Sequence, residues 1–205
     1  MADKSLLMSG KTSQRVQPMN DPSRDRRVDR TRGALLKAFR ELILNHPFEN
    51  VSVADIAARA GVGRSTLYEH FAGKDALLAS SIAVPFSVLA GTLRPGHDVS
   101  KLVSLLEHFW GNRPLARALF VGPMRRKSVA VLVDLVEKQL AAGGLSRRGA
   151  LILPMRLAAV QLAEILLAPV VAWLMGESRC TPAVLAASLA RVAAAALAAL
   201  KAGRR

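Results

Sequence analysis

Apolar residues recur along most of the chain at intervals of three and four positions, a spacing typical of amphipathic helices. The first stripe, formed by Leu35, Leu36, Phe39, Leu42 and Ile43, predicts a helix over residues 29–45. No stretch alternates apolar and polar residues between turn signals, so the pattern does not predict a sheet. The fold class indicated is therefore all-α.

The same spacing continues through the second half of the chain. Further helices are predicted at 99–110, 114–120, 129–140, 154–175 and 182–202. With two short helices between residues 52 and 71 and another that begins at Lys74, the expected total is about nine. The apolar segment 158–175 is interrupted by Gln161, Glu164 and Pro169, and its uninterrupted part is shorter than the ~20 residues that a bilayer demands. We therefore interpret it as a buried interface helix and expect no membrane association.

Two short helices joined by a tight turn precede this region. Ser52 followed by Asp55 is a helix-start signal, and a short apolar face then ends at Gly61. A turn over 61–63 leads into a second short helix over 64–71. This spacing predicts a helix-turn-helix, whose second helix can enter the major groove of DNA.

The side chains at the start of that second helix suit contact with DNA. Arg64, Ser65 and Thr66 lie where a guanidinium and short hydroxyl groups can meet base edges. Tyr68, His70 and Lys74 are hydrogen-bond donors that suit phosphate oxygens. Taken singly, Tyr68 and His70 could equally be packed or solvent-exposed residues, and the motif could also serve protein contact.

The block closely resembles the DNA-binding domain of the TetR family of transcriptional regulators. The resemblance covers roughly residues 32–78 and is carried by Asp-Ile-Ala at 55–57, Gly-Val at 61–62, Leu-Tyr-Glu-His-Phe at 67–71 and Lys74 before a Leu-Leu pair. It implies base contacts from Arg64, Ser65 and Thr66 and backbone contacts from Ser52, Tyr68, His70 and Lys74. Ala54 departs from members that place a long polar side chain at that position.

The family resemblance also implies a mechanism. A homodimer would bind double-stranded DNA at an inverted-repeat operator, because two recognition helices must reach major grooves about 34–36 Å apart. The helices at 154–175 and 182–202 would form the dimer interface, and an unidentified small-molecule effector would release the DNA.

Composition places a basic excess at both ends of the chain. The 205 residues include 29 Lys and Arg against 15 Asp and Glu, for a formal net charge of +14. Residues 33–80 are balanced in charge, so we expect arginines of the preceding arm to supply electrostatic attraction to DNA. These are Arg24, Arg26, Arg27, Arg30 and Arg32. Residues 1–24 are interpreted as a flexible basic arm, 25–78 as the DNA-binding domain and 79–205 as the effector-binding and dimerisation domain.

Aromatic and polar residues of the last domain could line an effector cavity, although such residues at helical spacing are equally typical of plain core. The candidates are Phe86, His108, Phe109, Trp110, Arg117, Phe120, Met124, Gln161, Glu164 and Trp173. The run Arg125-Arg126-Lys127 is interpreted as a solvated helix face.

Signatures of other protein classes are missing from the sequence. Gly10-Lys11-Thr12 imitates the end of a phosphate-binding loop, but Ser5 occupies the first glycine position. The four histidines lack metal-ligand spacing, and Cys180 is the single cysteine. We therefore predict no metal, no cofactor and no enzymatic activity. Since no signal peptide is recognisable, a cytoplasmic location is expected. The alternative function is a helical ligand sensor or adaptor whose N-terminal domain binds protein.

Overall fold

The computed structural model describes residues 22–202, which form nine α-helices. Within this range the all-α prediction is confirmed, since the described backbone shows no strand beyond an isolated bridge between Leu151 and Lys201. The helices are α1 (Pro22–Asn45), α2 (Val53–Arg59), α3 (Arg64–His70), α4 (Lys74–Gly91), α5 (Val99–Gly111), α6 (Arg113–Phe120), α7 (Arg125–Ala142), α8 (Met155–Met175) and α9 (Pro182–Leu200).

Two helices begin earlier than the apolar periodicity predicts. Helix α1 begins at Pro22 instead of residue 29, and α7 begins at Arg125 instead of residue 129. Both additional segments are rich in arginine, a good helix former that contributes no apolar stripe. Periodicity therefore detects only the part of a helix that faces a core.

Helices α1, α2 and α3 pack against one another through buried apolar residues. Leu35, Phe39, Ile56 and Leu67 are completely buried. Phe48, on a short 3-10 turn between α1 and α2, meets Phe39 edge to face with ring centroids 6.2 Å apart. The first three helices consequently form a compact unit, and one side of α3 lies at the surface of this unit.

Helices α4 to α9 form the larger bundle, with α8 at its centre. Leu162, Leu166, Leu167 and Val170 of α8 are fully buried. Helix α4 runs from the three-helix unit into this bundle and crosses the domain boundary expected at residue 78. The buried residues of the two parts form one continuous apolar cluster, so the three-helix unit and the bundle share a core.

By length and composition, three of the described helices, α4, α8 and α9, could cross a membrane. Half of the most apolar window of α8 is buried inside the protein. Packing within the bundle therefore accounts for much of its apolar character.

Candidate nucleic-acid interface

Local interactions fix the geometry of the turn between α2 and α3. At the end of α2, the Val62 amide donates to the carbonyl of Ala57 at 3.0 Å and the Gly61 amide donates to that of Ala58 at 3.1 Å. This pair of bonds needs a residue in the left-handed region, and Gly61 supplies it with φ of +69°. The turn is thus set by the sequence and directs α3 away from α2.

Helix α3 buries one side and presents the other to solvent. Leu67 is fully buried and Phe71, which follows the helix, is 4% exposed. Arg64 and Ser65 are exposed at the start of the helix, Thr66 is half-buried, and Tyr68 is 58% exposed. Arg64, Ser65 and Tyr68 therefore lie on the accessible side of α3, and Thr66 lies at its rim.

Ser52 and Asp55 form a reciprocal cap at the start of α2. The Asp55 amide donates to the Ser52 hydroxyl at 3.1 Å, and the Ser52 amide donates to the Asp55 carboxylate at 2.8 Å. The Ser52 hydroxyl also donates to that carboxylate at 2.6 Å. These hydrogen bonds lower the pKa of Asp55, with the hydroxyl as the largest cause. Ser52 is exposed, but both of its donors are already used inside the cap.

The end of α3 is held by Arg32 of α1. Its Nη1 donates to the His70 carbonyl at 3.1 Å, and its guanidinium lies 4.4 Å from the centre of the Phe71 ring. Half-buried His70 thus sits on a backbone anchored to α1. Arg32 therefore makes an internal contact, whereas the sequence pattern placed it among the arginines expected to attract DNA.

Lys74 is engaged in the same way at the start of α4. Its ammonium donates to the carbonyls of Phe48, Glu49 and Val51 at 3.0, 3.3 and 3.1 Å. It also lies 4.5 Å from the centre of the Phe48 ring. In this structure Lys74 therefore binds the α1–α2 connection instead of presenting a free ammonium to phosphate.

The basic arm is described only in part. Arg26, Arg27 and Arg30 are exposed on α1. The side chain of Arg24 and the predicted arm before residue 22 lie outside the described residues. A contact between the arm and DNA therefore stays a prediction.

The structure divides the predicted effector residues into groups. Phe86, Phe109 and Phe120 form a packed aromatic row in which neighbouring ring centroids are 5.2 Å apart. These rings are at most 4% exposed, and Met124 is similarly buried at 5%. This group belongs to the core of the bundle.

Three of the polar candidates lie at the surface. His108, Arg117 and Gln161 are exposed. Arg117 and Met124 line an open groove of about 590 Å³ between α6 and the end of α1, and His108 lines another of about 640 Å³ beside α1, α4 and α5. These candidates therefore do not meet in a common cavity.

Glu164 has a partner on another helix. Arg125 of α7 donates through Nη1 and Nη2 to its two carboxylate oxygens, and this hydrogen bonding raises the pKa of Arg125. Lys127 likewise pairs with Asp75 of α4. Arg126 is exposed, whereas Arg125 and Lys127 are partly exposed and paired with carboxylates of neighbouring helices.

Two of the predicted residues do come together at a groove. Trp110 and Trp173 have ring centroids 4.7 Å apart and line a space of about 740 Å³ near the connection between α8 and α9. Sequence reasoning missed Arg113 and Arg179, which line the same groove. Arg113 lies only three residues after Trp110 in the chain, and this short separation is a signal that could have identified Arg113. Among the described residues no group of His, Cys, Asp and Glu side chains could hold a metal ion.

Comparison with protein families and with individual proteins gives two matches that each cover a minor part of the chain. Residues 35–80 match the family model of bacterial regulatory proteins of the tetR family. Over 59 residues, 28% of the chain, the sequence is 39% identical to an uncharacterized HTH-type transcriptional regulator, YxbF, of Bacillus subtilis (strain 168). The match spans 16% of that relative, so the likeness concerns only a small part of its length.

Solved structures resemble the chain over most of its length. A TetR transcriptional regulator from Streptococcus agalactiae 2603V has a TM-score of 0.54 and 22% identity, over 83% of this chain and 97% of the other. NalD of Pseudomonas aeruginosa, the secondary repressor of the MexAB-OprM multidrug efflux pump, has a TM-score of 0.49 and 20% identity, over 85% and 98%. The first likeness shows that the bundle behind the helix-turn-helix has the fold of a TetR regulator.

Proposed function

Because residues 35–80 match the family model of bacterial regulatory proteins of the tetR family, we propose that the protein is a sequence-specific transcriptional repressor of this family. A homodimer of the chain binds an inverted-repeat operator in double-stranded DNA, and a small-molecule effector releases it. The proposed location is the cytoplasm, and the activity is binding without catalysis.

The exposed side of α3 is the observation that carries this proposal. Arg64 and Ser65 stand at the exposed start of the helix while Leu67 anchors its opposite side in the core. In a helix-turn-helix these leading positions reach base edges, and a guanidinium pairs best with the O6 and N7 atoms of guanine. Arg64 is therefore the principal base-reading residue, supported by Ser65 and Thr66.

Contacts to the DNA backbone come from the side chains around α3. Tyr68 is 58% exposed, and its hydroxyl can donate to a phosphate oxygen. His70 at the rim of the same helix supplies a second donor. Ser52 is a weaker candidate because its hydroxyl and amide donate to Asp55, and Lys74 stabilises the unit from inside.

Apolar side chains left uncovered on α8 and α9 support dimerisation. Leu157, Val184 and Val192 are 56%, 60% and 50% exposed. Large apolar patches on a protein surface mark contact sites, and a two-fold axis lets the same patch cover itself. A second copy of the chain is the partner that we propose for this face.

The first experiment selects the operator from a random duplex library with the full-length protein. We expect an inverted repeat, and titration of the selected duplex should show an affinity that falls steeply with salt. Absent or salt-insensitive binding would contradict the proposal and favour an adaptor that docks on protein.

Replacement of Arg64 tests its proposed role. Arg64→Ala should reduce the preference for the selected duplex over a scrambled one by about 1–3 kcal/mol, because the guanidinium no longer pairs with a base edge. Anisotropy titrations of both duplexes measure this difference. Arg94→Ala, at an exposed arginine outside the DNA-binding unit, is the matched control and should leave the preference unchanged.

A further inference from the structure

We propose that the groove lined by Trp110, Arg113, Trp173, Arg179 and Cys180 binds an aromatic carboxylate and is the effector site of the protein. Its volume of about 740 Å³ falls in the range of small-molecule sites, which is about 300–1,000 Å³. We call it the tryptophan groove. Its role as effector site rests on the proposed function, whereas its affinity for the ligand does not.

An aromatic pair forms one wall of the tryptophan groove. The rings of Trp110 and Trp173 stack with their planes 35° apart. Trp173 is nearly buried, and its indole N–H donates to the Cys180 carbonyl at 3.1 Å, which holds the connection between α8 and α9 against it. Trp110 remains 45% exposed. Trp173 and the Arg113 guanidinium each lie 4.7 Å from the centre of the Trp110 ring, so the exposed part of Trp110 offers its edge to another aromatic ring.

Arg113 is held beside this aromatic pair in a fixed position. Its guanidinium lies 4.7 Å from the centre of the Trp110 ring, and its Nε donates to the Leu174 carbonyl. Its Nη2 is 3.0 Å from where a Cβ of Gly176 would lie, so glycine at that position leaves room for the guanidinium. The side chain is therefore oriented before any ligand arrives.

Two arginines line the groove without forming an ion pair to any described residue, and the acidic residue of the connection between α8 and α9, Glu177, is not among the lining residues. Arg113 and Arg179 line it without an acidic residue, and no carboxylate of residues 26–202 lies within 4.0 Å of either guanidinium. A guanidinium accepts a carboxylate through paired hydrogen bonds. A ligand with an aromatic ring for Trp110 and a carboxylate for Arg113 matches both features of the groove.

The position of Arg113 connects the tryptophan groove to the DNA-binding unit. Arg113 is the first residue of α6, and α6 packs against α1. Met175 lines both this groove and the neighbouring one between α6 and the end of α1. A ligand that binds the Arg113 guanidinium therefore contacts α6, the helix that packs against α1. Such a ligand can favour a different spacing of the two recognition helices in the dimer.

The chain provides specific probes for this site. Trp110 and Trp173 are its only tryptophans and Cys180 its only cysteine, so indole fluorescence and thiol alkylation both report on the tryptophan groove. The full-length protein is titrated with benzoate, 3-phenylpropionate and 5-phenylpentanoate. We expect saturable changes in fluorescence excited at 295 nm and slower alkylation of exposed Cys180 by iodoacetamide. 3-Phenylpropanamide, which lacks the charge, and 3-cyclohexylpropionate, which lacks the aromatic ring, should bind at least about tenfold more weakly.

Three variants assign the binding to these side chains. Arg113→Gln and Trp110→Leu should each weaken binding about tenfold. Binding to these variants is measured by the protection of Cys180 from alkylation, because this readout does not depend on Trp110 fluorescence. Because Arg113→Gln also removes an internal contact, Arg179→Gln on the exposed connection is the second charge variant and should weaken binding about threefold. Arg126→Gln, at an exposed arginine outside the groove, is the matched control.

These experiments distinguish failure of the proposed binding site from failure of the proposed regulatory function. No protection by any of the three carboxylates, or equal binding of 3-phenylpropanamide, overturns the binding site. Binding that leaves the affinity for the selected duplex unchanged overturns the effector role, whereas a lower affinity supports it. If the free protein binds no DNA, the proposed function is overturned while fluorescence and alkylation still decide the site.

Discussion

Lys74 places its ammonium among three backbone carbonyls of the α1–α2 connection. An ammonium has three donors, and here all of them have acceptors. The nearby Phe48 ring adds a cation–π contact. Lys74 therefore fixes the connection that positions α2 and α3, and a role in phosphate binding would require these bonds to open.

Replacement of Lys74 separates the two roles. Lys74→Gln should lower the free energy of unfolding by about 2 kcal/mol, because hydrogen bonds to a charged group contribute about 1.5–3 kcal/mol. Urea denaturation measures the change, with Lys37→Gln, at an exposed lysine of α1, as the control. Unchanged stability together with a salt slope lowered by about one unit would instead identify Lys74 as a phosphate contact.

Short helices such as α2 and α3, with seven residues each, depend on their ends. Such a helix gains little from its own backbone hydrogen bonds, so caps and turns decide whether it forms. The Ser52–Asp55 cap begins α2, and the glycine turn at residue 61 ends it. Both devices are local, and both can be tested one residue at a time.

The Asp55 cap predicts an acid-dependent loss of stability. The pKa of Asp55 is lowered in the folded state, so its contribution is complete above the unfolded pKa and is lost as pH falls through the folded pKa. The stability difference between the wild type and Asp55→Asn should thus be constant above about pH 5 and shrink below about pH 4. Thermal denaturation from pH 3 to 7 measures it; a difference independent of pH would contradict the capping role. Glu107→Gln, at an exposed position, is the control.

Alanine variants of Gly61 and Gly33 form a matched pair that tests the turn at Gly61. Gly61→Ala should destabilise the protein by about 1–2 kcal/mol, since alanine disfavours a positive φ. Gly33 lies inside α1 with open space around it, so Gly33→Ala should stabilise by up to about 1 kcal/mol. Denaturant titrations of both variants check the opposite signs, and the turn assignment fails if both move in the same direction.

At the scale of the whole molecule, α4 joins the two functional parts. It begins at Lys74, whose ammonium binds the α1–α2 connection, and its buried residues Leu77, Ile82 and Phe86 continue into the bundle. The ion pair between Lys127 and Asp75 adds a link between α7 and the start of α4. A change in the bundle can therefore reach α3 through packed helices instead of through a flexible linker.

Disruption of the α8–α9 face tests the proposed dimer. Val192→Glu should weaken self-association at least about a hundredfold, because a buried unpaired carboxylate costs several kcal/mol. Light scattering coupled to size-exclusion chromatography measures the oligomeric state, and circular dichroism verifies the helix content. Val84→Glu places the same change on a valine of α4 that is 74% exposed, and it should leave the dimer intact. A Val192→Glu protein that stays dimeric contradicts the proposed interface.

The features that the sequence predicted correctly depend on contacts within about one helical turn. The stripe at 35–43, the Ser52–Asp55 cap and the turn at Gly61 all involve residues close together in the chain. The start of α1 was missed because its arginine-rich sequence leaves no apolar signal.

The sequence by itself determined the helical class and the helix-turn-helix, because capping, turn chemistry and amphipathic spacing act over a few residues. Only the tertiary structure decided that Lys74 and Arg32 serve as internal contacts and that Arg125 pairs with Glu164. It also separated the buried aromatic row from the tryptophan groove. These outcomes depend on distances between residues far apart in the chain, and those distances are set by how the helices pack rather than by the order of their side chains.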